Sequence, residues 1–161
     1  MKPPSAALLD DLGVEYRLIR LRERAVTVQD VIDYAEGDLN RDEICKTIIV
    51  KDSKGSKHAL FLRGRDRVDF NKLKAVIGKS SVASCSEVKE ATGLEPGAIC
   101  PLTLGIPVYV DGRVLALERV NFGSGDHLYG VEVKVIDLAR AMSYTVHDLA
   151  MSVTAGACSA V

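Results

Sequence analysis

The sequence lacks several features that would assign it quickly to a familiar class. It has no apolar run near the roughly 18 residues that a membrane-spanning helix requires. Its four cysteines form no C-x-x-C pair and no Cys/His ligand spacing, so we expect neither a structural zinc site nor a disulfide framework. It also contains no P-loop, no dinucleotide-binding fingerprint and no G-x-S-x-G element, the motifs of many nucleotide-binding proteins and serine hydrolases.

The composition is that of an ordinary globular protein, 47% hydrophobic and 27% charged over 161 residues. This length suits one hydrophobic core, and no repeat or long linker divides it, so residues 1–161 are predicted to form a single domain. Residues 154–161 are rich in small side chains and are expected to fray. Asp10 and Asp11 interrupt the first apolar stretch, unlike a signal peptide, so we expect a cytoplasmic location.

The order of the helix and strand patterns predicts an α+β fold with helices around a mixed or mostly antiparallel sheet. Thr27 and Asp30 form a capping-box pattern before a helix, and Gly55 lies in a short turn between two apolar strands. The predicted helices cover residues 5–12, 28–35, 70–77, 86–92, 137–142 and 146–151. The predicted strands cover residues 14–21, 44–50, 58–63, 82–84, 106–110 and 127–136. Residues 113–120 fit either state, and loops are predicted at 93–105 and 121–126.

The net charge of −1 conceals an uneven distribution. Residues 44–79 carry ten Lys or Arg against three Asp, a net +7, and the rest of the chain carries −8. A single basic segment is typical of a local contact with a polyanion, and the alternative is a set of solvated strand and helix faces. The cations proposed to bind nucleic acid are Lys51, Arg63, Arg65, Arg67, Lys72 and Lys74. The three arginines share one face if their stretch stays extended.

Lys46 is the most informative single residue, because it lies in the apolar segment 44–50. Strand alternation places Ile44, Lys46, Ile48 and Val50 on one face. An ammonium buried on such a face costs several kcal/mol, so the side chain must reach water, meet an anion or line a cleft. The alternative is a lysine beside the sheet edge that extends to solvent.

Residues 97–101, with the form G-x-x-x-P, are the second candidate. Gly97 permits close backbone approach and can leave amide N–H groups available to an oxyanion or a carbonyl oxygen, although most such loops are only turns. Cys100 has no basic neighbour in sequence, and an ordinary thiol is mostly protonated at neutral pH. We therefore interpret Cys100 as a buried filler rather than a nucleophile.

A second glycine-rich segment, residues 123–130, contains a Ser/Asp/His cluster just before a predicted strand. Its His127 can exchange hydrogen bonds near neutral pH, which suits a site. The alternative is a glycine loop with a solvated histidine.

Together these segments resemble the aminoacyl-tRNA editing domains, the family that includes the YbaK and ProX proteins and the insertion domain of bacterial prolyl-tRNA synthetases. The resemblance covers residues 25–150. It is carried by Lys46-Thr47, residues 63–69 before a helix, Thr92-Gly93, Gly97 and Pro101, residues 108–111 and residues 123–137. Two departures bear on the amino acid removed: Cys100 replaces a small hydroxyl residue found in many relatives, and residues 123–127 are closer to the histidine-containing branches than to YbaK.

The resemblance implies a mixed α+β fold with a curved central sheet, and hydrolysis of the ester between a wrongly attached amino acid and the 3′ adenosine of tRNA. Lys46, the loop 97–101 and His127 match residues on which family members depend. The hypothesis is that the amides of Gly97 and Ala98 face the oxyanion, that Lys46 anchors a phosphate or the carbonyl, and that His127 positions the amino acid or water. Further substrate contacts are predicted for Thr47, Ile99, Cys100, Pro101, Gly123, Ser124, Gly125 and Asp126.

No cofactor or metal is implied, and no membrane partner. The expected partners are the acceptor end of a mischarged tRNA and an aminoacyl-tRNA synthetase. Three alternatives remain open: a non-catalytic module that binds tRNA ends or a synthetase, a hydrolase of small esters or amides, and a thiol-dependent redox role through Cys45 or Cys100.

Overall fold

The structure is a computed structural model that describes residues 2–151, so the predicted frayed tail at 154–161 lies outside the described residues. Its helices are α1 (Pro4–Leu12), α2 (Val28–Tyr34), α3 (Phe70–Ile77), α4 (Cys85–Thr92) and α5 (Leu138–Ala141). Its strands are β1 (Tyr16–Arg20), β2 (Cys45–Asp52), β3 (Lys57–Arg63), β4 (Ser80–Val82), β5 (Val108–Asp111), β6 (Arg119–Gly123), β7 (Tyr129–Lys134) and β8 (Thr145–His147). No helix in this part of the chain is both long and apolar enough to cross a bilayer.

The strands form two sheets. The first is antiparallel, in the order β1-β7-β6, and the second is mixed, in the order β4-β2-β3-β5-β8. In the second sheet β2 is antiparallel to β3 and β4, whereas β3 and β5, and β5 and β8, run parallel. The predicted α+β class with a mixed sheet is therefore confirmed, with two sheets in place of one.

The main core lies where the two sheets meet. Phe61 of β3 and Phe122 of β6 contact edge to face, with ring centroids 5.7 Å apart, an arrangement that adds to the stabilisation from buried apolar area. A parallel bridge from Ile44 to Asn121 connects the start of β2 to β6. A second apolar cluster covers the opposite face of the mixed sheet, where Leu73 of α3 packs against Leu60 and Leu62.

Local capping determines several helix boundaries. The Thr27 hydroxyl accepts a hydrogen bond from the Asp30 N–H, and the Asp30 carboxylate accepts one from the Thr27 N–H, which confirms the predicted capping box of α2. Ser84 and Glu87 form a second capping box, so α4 begins at Cys85. Gly13 ends α1 in the left-handed conformation, with φ of 66°.

Two predicted segments were wrong. Residues 121–123 belong to β6 rather than to a loop, because the alternating Val120 and Phe122 are buried in the core while the strand pairs with β7. Residues 146–151 are not helical: β8 pairs with β5, and the Asp111 carboxylate accepts hydrogen bonds from the N–H groups of Leu149 and Ala150. Residues 113–120, left open above, contain the short 3-10 helix Val114–Ala116 and the start of β6.

Candidate active site

A small cavity lies between the antiparallel sheet, α2 and the loop 97–101. Gly97, Gly123 and His127 all line it, together with apolar side chains such as Ile19 and Val31. Its volume is about 20 Å³, enough for a single water molecule. The structure thus brings together three of the predicted site residues, from segments that are far apart in the sequence.

Gly97 is held in a tight turn against the segment before α2. Its φ is 96°, and the Ala98 N–H donates to the Glu95 carbonyl at 3.1 Å; with Pro96 before it, this is the pattern of a type II β-turn. A Cβ on Gly97 would lie 2.8 Å from the Ala25 carbonyl oxygen. Both the backbone conformation and the space therefore require glycine.

The turn corrects one predicted role. Because the Ala98 N–H closes the turn, it is not available to an oxyanion. No hydrogen bond from the Gly97 N–H is found within residues 2–151, as expected for the third position of such a turn. Of the two predicted backbone donors, only the Gly97 N–H is without a hydrogen bond among the described residues.

Gly123 lets β6 approach the same loop from the other side. A Cβ at this position would lie 2.6 Å from the carbonyl oxygen of Ile99 and 3.2 Å from the carbonyl carbon of Ala98. No side chain can occupy that space without moving the backbone. The loop 97–101 is thus fixed between the Ala25–Val26 backbone and β6.

His127 lies beside Gly97 and is held by groups that the sequence analysis did not identify. Its Nδ1 is 3.4 Å from the Ala25 carbonyl oxygen and its Nε2 is 3.7 Å from the Glu95 carboxylate. Glu95 also accepts a hydrogen bond from Arg24, and this hydrogen bond lowers the pKa of Glu95. Since Arg24, Glu95 and His127 are distant in sequence, only the folded chain reveals the cluster.

Lys46 occupies a different cavity. Its side chain is 1% exposed, and its Nζ donates to the Gly64 carbonyl at 3.3 Å. It lines a cleft of about 340 Å³ with Ile48 and Arg67, on the face of β2 opposite to Cys45, which lines the Gly97 cavity. Strand alternation therefore places Lys46 as predicted, but the structure does not bring it into one cavity with the loop 97–101.

The backbone of Gly64 contacts residues of both cavities. Its N–H donates to the Ile44 carbonyl at 2.7 Å, and a Cβ on Gly64 would lie 2.9 Å from the Val28 side chain. Ile44 lines the Gly97 cavity, and Val28 begins α2 directly after the segment that contacts Gly97. The ammonium of Lys46 is thus bonded to the backbone that packs behind this cavity.

Comparison with known proteins identifies the family of the chain. The model of the aminoacyl-tRNA editing domain matches residues 22–141. The chain belongs to this family. The hypothetical protein APE2540 is 28% identical, with a TM-score of 0.78 over 91% of this chain and 98% of the other. A proposed trans-editing enzyme for prolyl-tRNA synthetase is 21% identical, with a TM-score of 0.76 over 94% and 100% of the two chains.

The fold also occurs inside longer proteins. A proposed signal transduction protein from Marinobacter aquaeolei VT8 is 20% identical, with a TM-score of 0.69; the match covers 94% of this chain and 31% of the other. At this identity the likeness concerns the fold alone. The resemblance described above is thereby confirmed at the level of family and fold.

The buried thiols of this editing domain have no environment that favours a thiolate. Burial raises the pKa of the Cys100 thiol to about 11 and also raises that of Cys45. A protonated thiol is a poor nucleophile. Ile99 and Cys100 are buried in the main core, and Pro101 begins the 3-10 helix Pro101–Thr103. These three residues therefore anchor the loop 97–101 in the core, and a substrate contact by them stays a prediction.

Ser124, Gly125 and Asp126 shape the segment before His127. The Ser124 hydroxyl donates to the Tyr129 carbonyl at 2.6 Å, and its own carbonyl accepts from the Ser5 hydroxyl. Gly125 has a φ of 93°, and the Asp126 carboxylate accepts from the Leu128 N–H. These contacts fix the position of His127, and a substrate contact by these three residues stays a prediction.

The predicted basic surface of the editing domain is largely neutralised. Of the six cations, all within residues 2–151, four form ion pairs: Lys51 with Glu87, Arg63 with Asp66, Arg65 with Asp42 and Lys72 with Asp148. Arg67 and Lys74 are exposed. The chain turns after Arg63, where the Asp66 N–H donates to the Arg63 carbonyl, so the expected extended stretch with three arginines on one face is wrong.

Asn121 is a cavity residue that the sequence analysis missed, because it was predicted to lie in a loop. It lines the Gly97 cavity, is 2% exposed, and lies across the strand pair from Glu132, where its side chain hydrogen-bonds to the Glu132 carboxylate and helps to lower the pKa of that carboxyl. Thr47 is also buried, with a hydroxyl that lacks a partner within the described chain, but it is not among the residues that line this cavity. The sequence signal that could have identified Asn121 is a polar residue between two apolar residues, Val120 and Phe122.

Proposed function

We propose that this editing domain hydrolyses the ester between a wrongly attached amino acid and the 3′ adenosine of a free tRNA. Family membership supports the substrate class. The observation that carries the proposal is the Gly97 turn, because Gly97 and its close neighbour His127 line one small cavity and no hydrogen bond from the Gly97 N–H is found within residues 2–151. A fixed donor beside a histidine suits the addition of water to an ester carbonyl.

The chemistry needs no covalent intermediate. Water adds to the ester carbonyl carbon, the bond to the ribose oxygen breaks, and the proton from water leaves with that oxygen, which gives a free amino acid and an uncharged tRNA. The Gly97 N–H stabilises the negative charge that develops on the carbonyl oxygen. His127, held by Ala25 and Glu95, orients the attacking water or the amino acid.

Lys46 is proposed to anchor the substrate through its charge. Its ammonium is bonded to the Gly64 carbonyl in the structure, so contact with the substrate requires it to exchange that carbonyl for a phosphate or ester oxygen. Exchange for a phosphate oxygen is favoured because an ionised acceptor forms a stronger hydrogen bond than a neutral carbonyl. Arg67, which lines the same cleft, extends the positive charge toward solvent and is proposed to contact the acceptor end.

A non-catalytic module that binds tRNA ends or a synthetase is the second candidate. The observation in its favour is the separation of Lys46 from the Gly97 cavity, which has room for only one water molecule. If the Gly97 cavity keeps this size when tRNA binds, the ester cannot reach Gly97. Turnover distinguishes the two functions, since both bind tRNA.

The test is a panel of alanyl-, cysteinyl- and seryl-tRNA incubated with the wild-type chain, with release of the free amino acid as the readout. We expect hydrolysis of at least one substrate, far above the spontaneous rate. Tight binding of charged tRNA without release of any amino acid would favour the binding module instead.

A further inference from the structure

We propose that the cleft lined by Lys46 and Arg67 binds the unpaired 3′ nucleotides of tRNA, with a base stacked on the ring of Phe70 and a phosphate held by Arg67. This inference rests on the proposed function and deepens it, because it assigns base recognition to a residue outside the proposed catalytic groups. The cleft has a volume of about 340 Å³, within the range of about 300–1,000 Å³ that is usual for ligand sites. This volume suits a single nucleotide rather than a duplex.

The walls of this cleft expose large apolar side chains. Phe70 is 40% exposed, Val82 58% and Met151 43%, and all three line the cleft. They are three of the eight large hydrophobic residues that are exposed within residues 2–151. Single apolar side chains scattered over a surface need no explanation, whereas several in one cleft are typical of a binding surface.

Phe70 gives this surface an aromatic face. The other two phenylalanines, Phe61 and Phe122, are buried in the main core, so Phe70 is the phenylalanine that can meet a ligand. Unpaired RNA bases stack on aromatic side chains, and the contact tolerates any sequence because every base has a π-face. A base that is paired inside a duplex has no free face, so the ring favours the single-stranded end of a tRNA.

The charge of the cleft favours a polyanion. Lys46 and Arg67 line it, and no Asp or Glu is among the described residues that do so. The Arg67 side chain is exposed and forms no hydrogen bond or ion pair within residues 2–151. The carboxylates that flank it in sequence are engaged elsewhere, since Asp66 pairs with Arg63 and Asp69 caps α3. A stacking surface beside an available cation is the combination that binds single-stranded nucleic acids.

Backbone hydrogen bonds fix the segment that carries the guanidinium and the ring. The Met151 N–H donates to the Arg67 carbonyl at 2.8 Å, and the Asp69 N–H donates to the Leu149 carbonyl at 2.8 Å. Phe70 follows as the first residue of α3. The two groups are therefore three positions apart on an ordered backbone, which reduces the ordering that binding requires.

The test measures the affinity of wild type and Phe70→Leu for an uncharged tRNA and for the same tRNA without its last three nucleotides. Truncation should weaken binding by wild type by about fivefold or more, the equivalent of at least one stacked base. Phe70→Leu, which is apolar but has no ring, should weaken binding of the intact tRNA by about fivefold or more and bind the truncated tRNA as wild type does. Phe70→Tyr retains the ring, and Ile136→Ala removes an exposed apolar side chain outside the cleft; both should match wild type.

Salt dependence tests the phosphate contact separately. Each phosphate contact with a single strand adds about 0.7 to the slope of log affinity against log salt concentration. In Arg67→Met this slope should fall in magnitude by about 0.7, whereas Phe70→Leu and the exposed Lys54→Met should keep the wild-type slope. An unchanged slope in Arg67→Met would contradict the phosphate contact.

The outcomes separate this inference from the proposed hydrolysis, because no RNA in the binding test carries an amino acid. Equal affinities of wild type and Phe70→Leu for the intact tRNA would overturn the stacking. An equal loss on both tRNAs would place Phe70 against another part of the tRNA and would overturn it as well. The expected binding pattern without hydrolysis of any charged tRNA would support the binding site and contradict the proposed function.

Discussion

Gly123 and Ile99 approach so closely that a Cβ on Gly123 would lie 2.6 Å from the Ile99 carbonyl oxygen. This contact joins β6, which carries Asn121, to the loop that carries Gly97. The position of the candidate oxyanion donor therefore depends on a glycine in a neighbouring strand as much as on its own turn.

Gly123→Ala should damage both stability and activity. The added methyl group forces a backbone shift in the loop 97–101, and overpacking of this kind costs about 1–3 kcal/mol in free energy of unfolding. Denaturant titration and ester hydrolysis measure the two effects. Gly105→Ala is the control, because a Cβ there meets no atom within 4 Å and the glycine has no positive φ. Equal stability and equal hydrolysis rates in the two variants would contradict the proposed dependence of the loop 97–101 on Gly123.

Cys100→Ala should retain ester hydrolysis. Burial raises the pKa of this thiol to about 11, so little thiolate exists at neutral pH, and the reaction proposed above uses water as the nucleophile. Iodoacetamide should label Cys85, whose thiol is exposed, before Cys100 and should leave the rate unchanged. Loss of hydrolysis in a folded Cys100→Ala variant would instead indicate covalent catalysis.

Asp111→Asn should loosen the segment that follows β8. The buried carboxylate accepts hydrogen bonds from the N–H groups of Leu149, Ala150 and Arg113, and an amide would direct its own donor toward one of them. Because hydrogen bonds to a charged group are worth about 1.5–3 kcal/mol each, we expect a loss of about 2–4 kcal/mol in free energy of unfolding. The exposed Asp11→Asn is the control, and a difference below measurement error between the two would contradict the assignment.

Acid sensitivity should depend on Arg17. Burial opposes ionisation of Glu132, but the hydrogen bond and charge of Arg17, with smaller contributions from Asn121 and Arg119, hold its pKa below the usual value. A lowered folded-state pKa means that the unfolded chain binds more protons, so this contribution is present above about pH 4.5 and is lost as the pH falls through the folded pKa.

In Arg17→Met the fall in unfolding free energy between about pH 5 and pH 3 should therefore be smaller than in wild type. Urea titrations at several pH values measure this slope. Identical slopes for the two proteins would show that Arg17 does not control the ionisation of Glu132.

The local parts of the fold could be predicted from the sequence. The capping box at Thr27, the turn at Gly55 and the helix end at Gly13 depend on residues a few positions apart, and the structure has each of them. Segment 121–123 was misassigned because glycines at 123 and 125 favour a loop, whereas pairing with β7 and burial of Phe122 outweigh that preference.

The candidate site was predictable only in part. Gly97 and His127 were identified from loop composition and resemblance, and the structure brings them together. Asn121 and the Glu95–Arg24 pair could not be identified, because their significance depends on burial and on contacts between distant segments. The ion pairs of the basic segment were missed for the same reason: Arg65 meets Asp42 and Lys72 meets Asp148 only in the folded chain.

Hydrolysis of a charged tRNA under single-turnover conditions by wild type, Lys46→Met and the exposed Lys54→Met tests the central claim most directly. If the cleft behind the Gly97 cavity anchors the substrate, Lys46→Met should lower the rate constant by about 100-fold or more, the size of effect seen when an electrostatic contact to the reacting ester is removed. Lys54→Met should match wild type. A folded Lys46→Met variant that hydrolyses within about twofold of wild type would contradict the account.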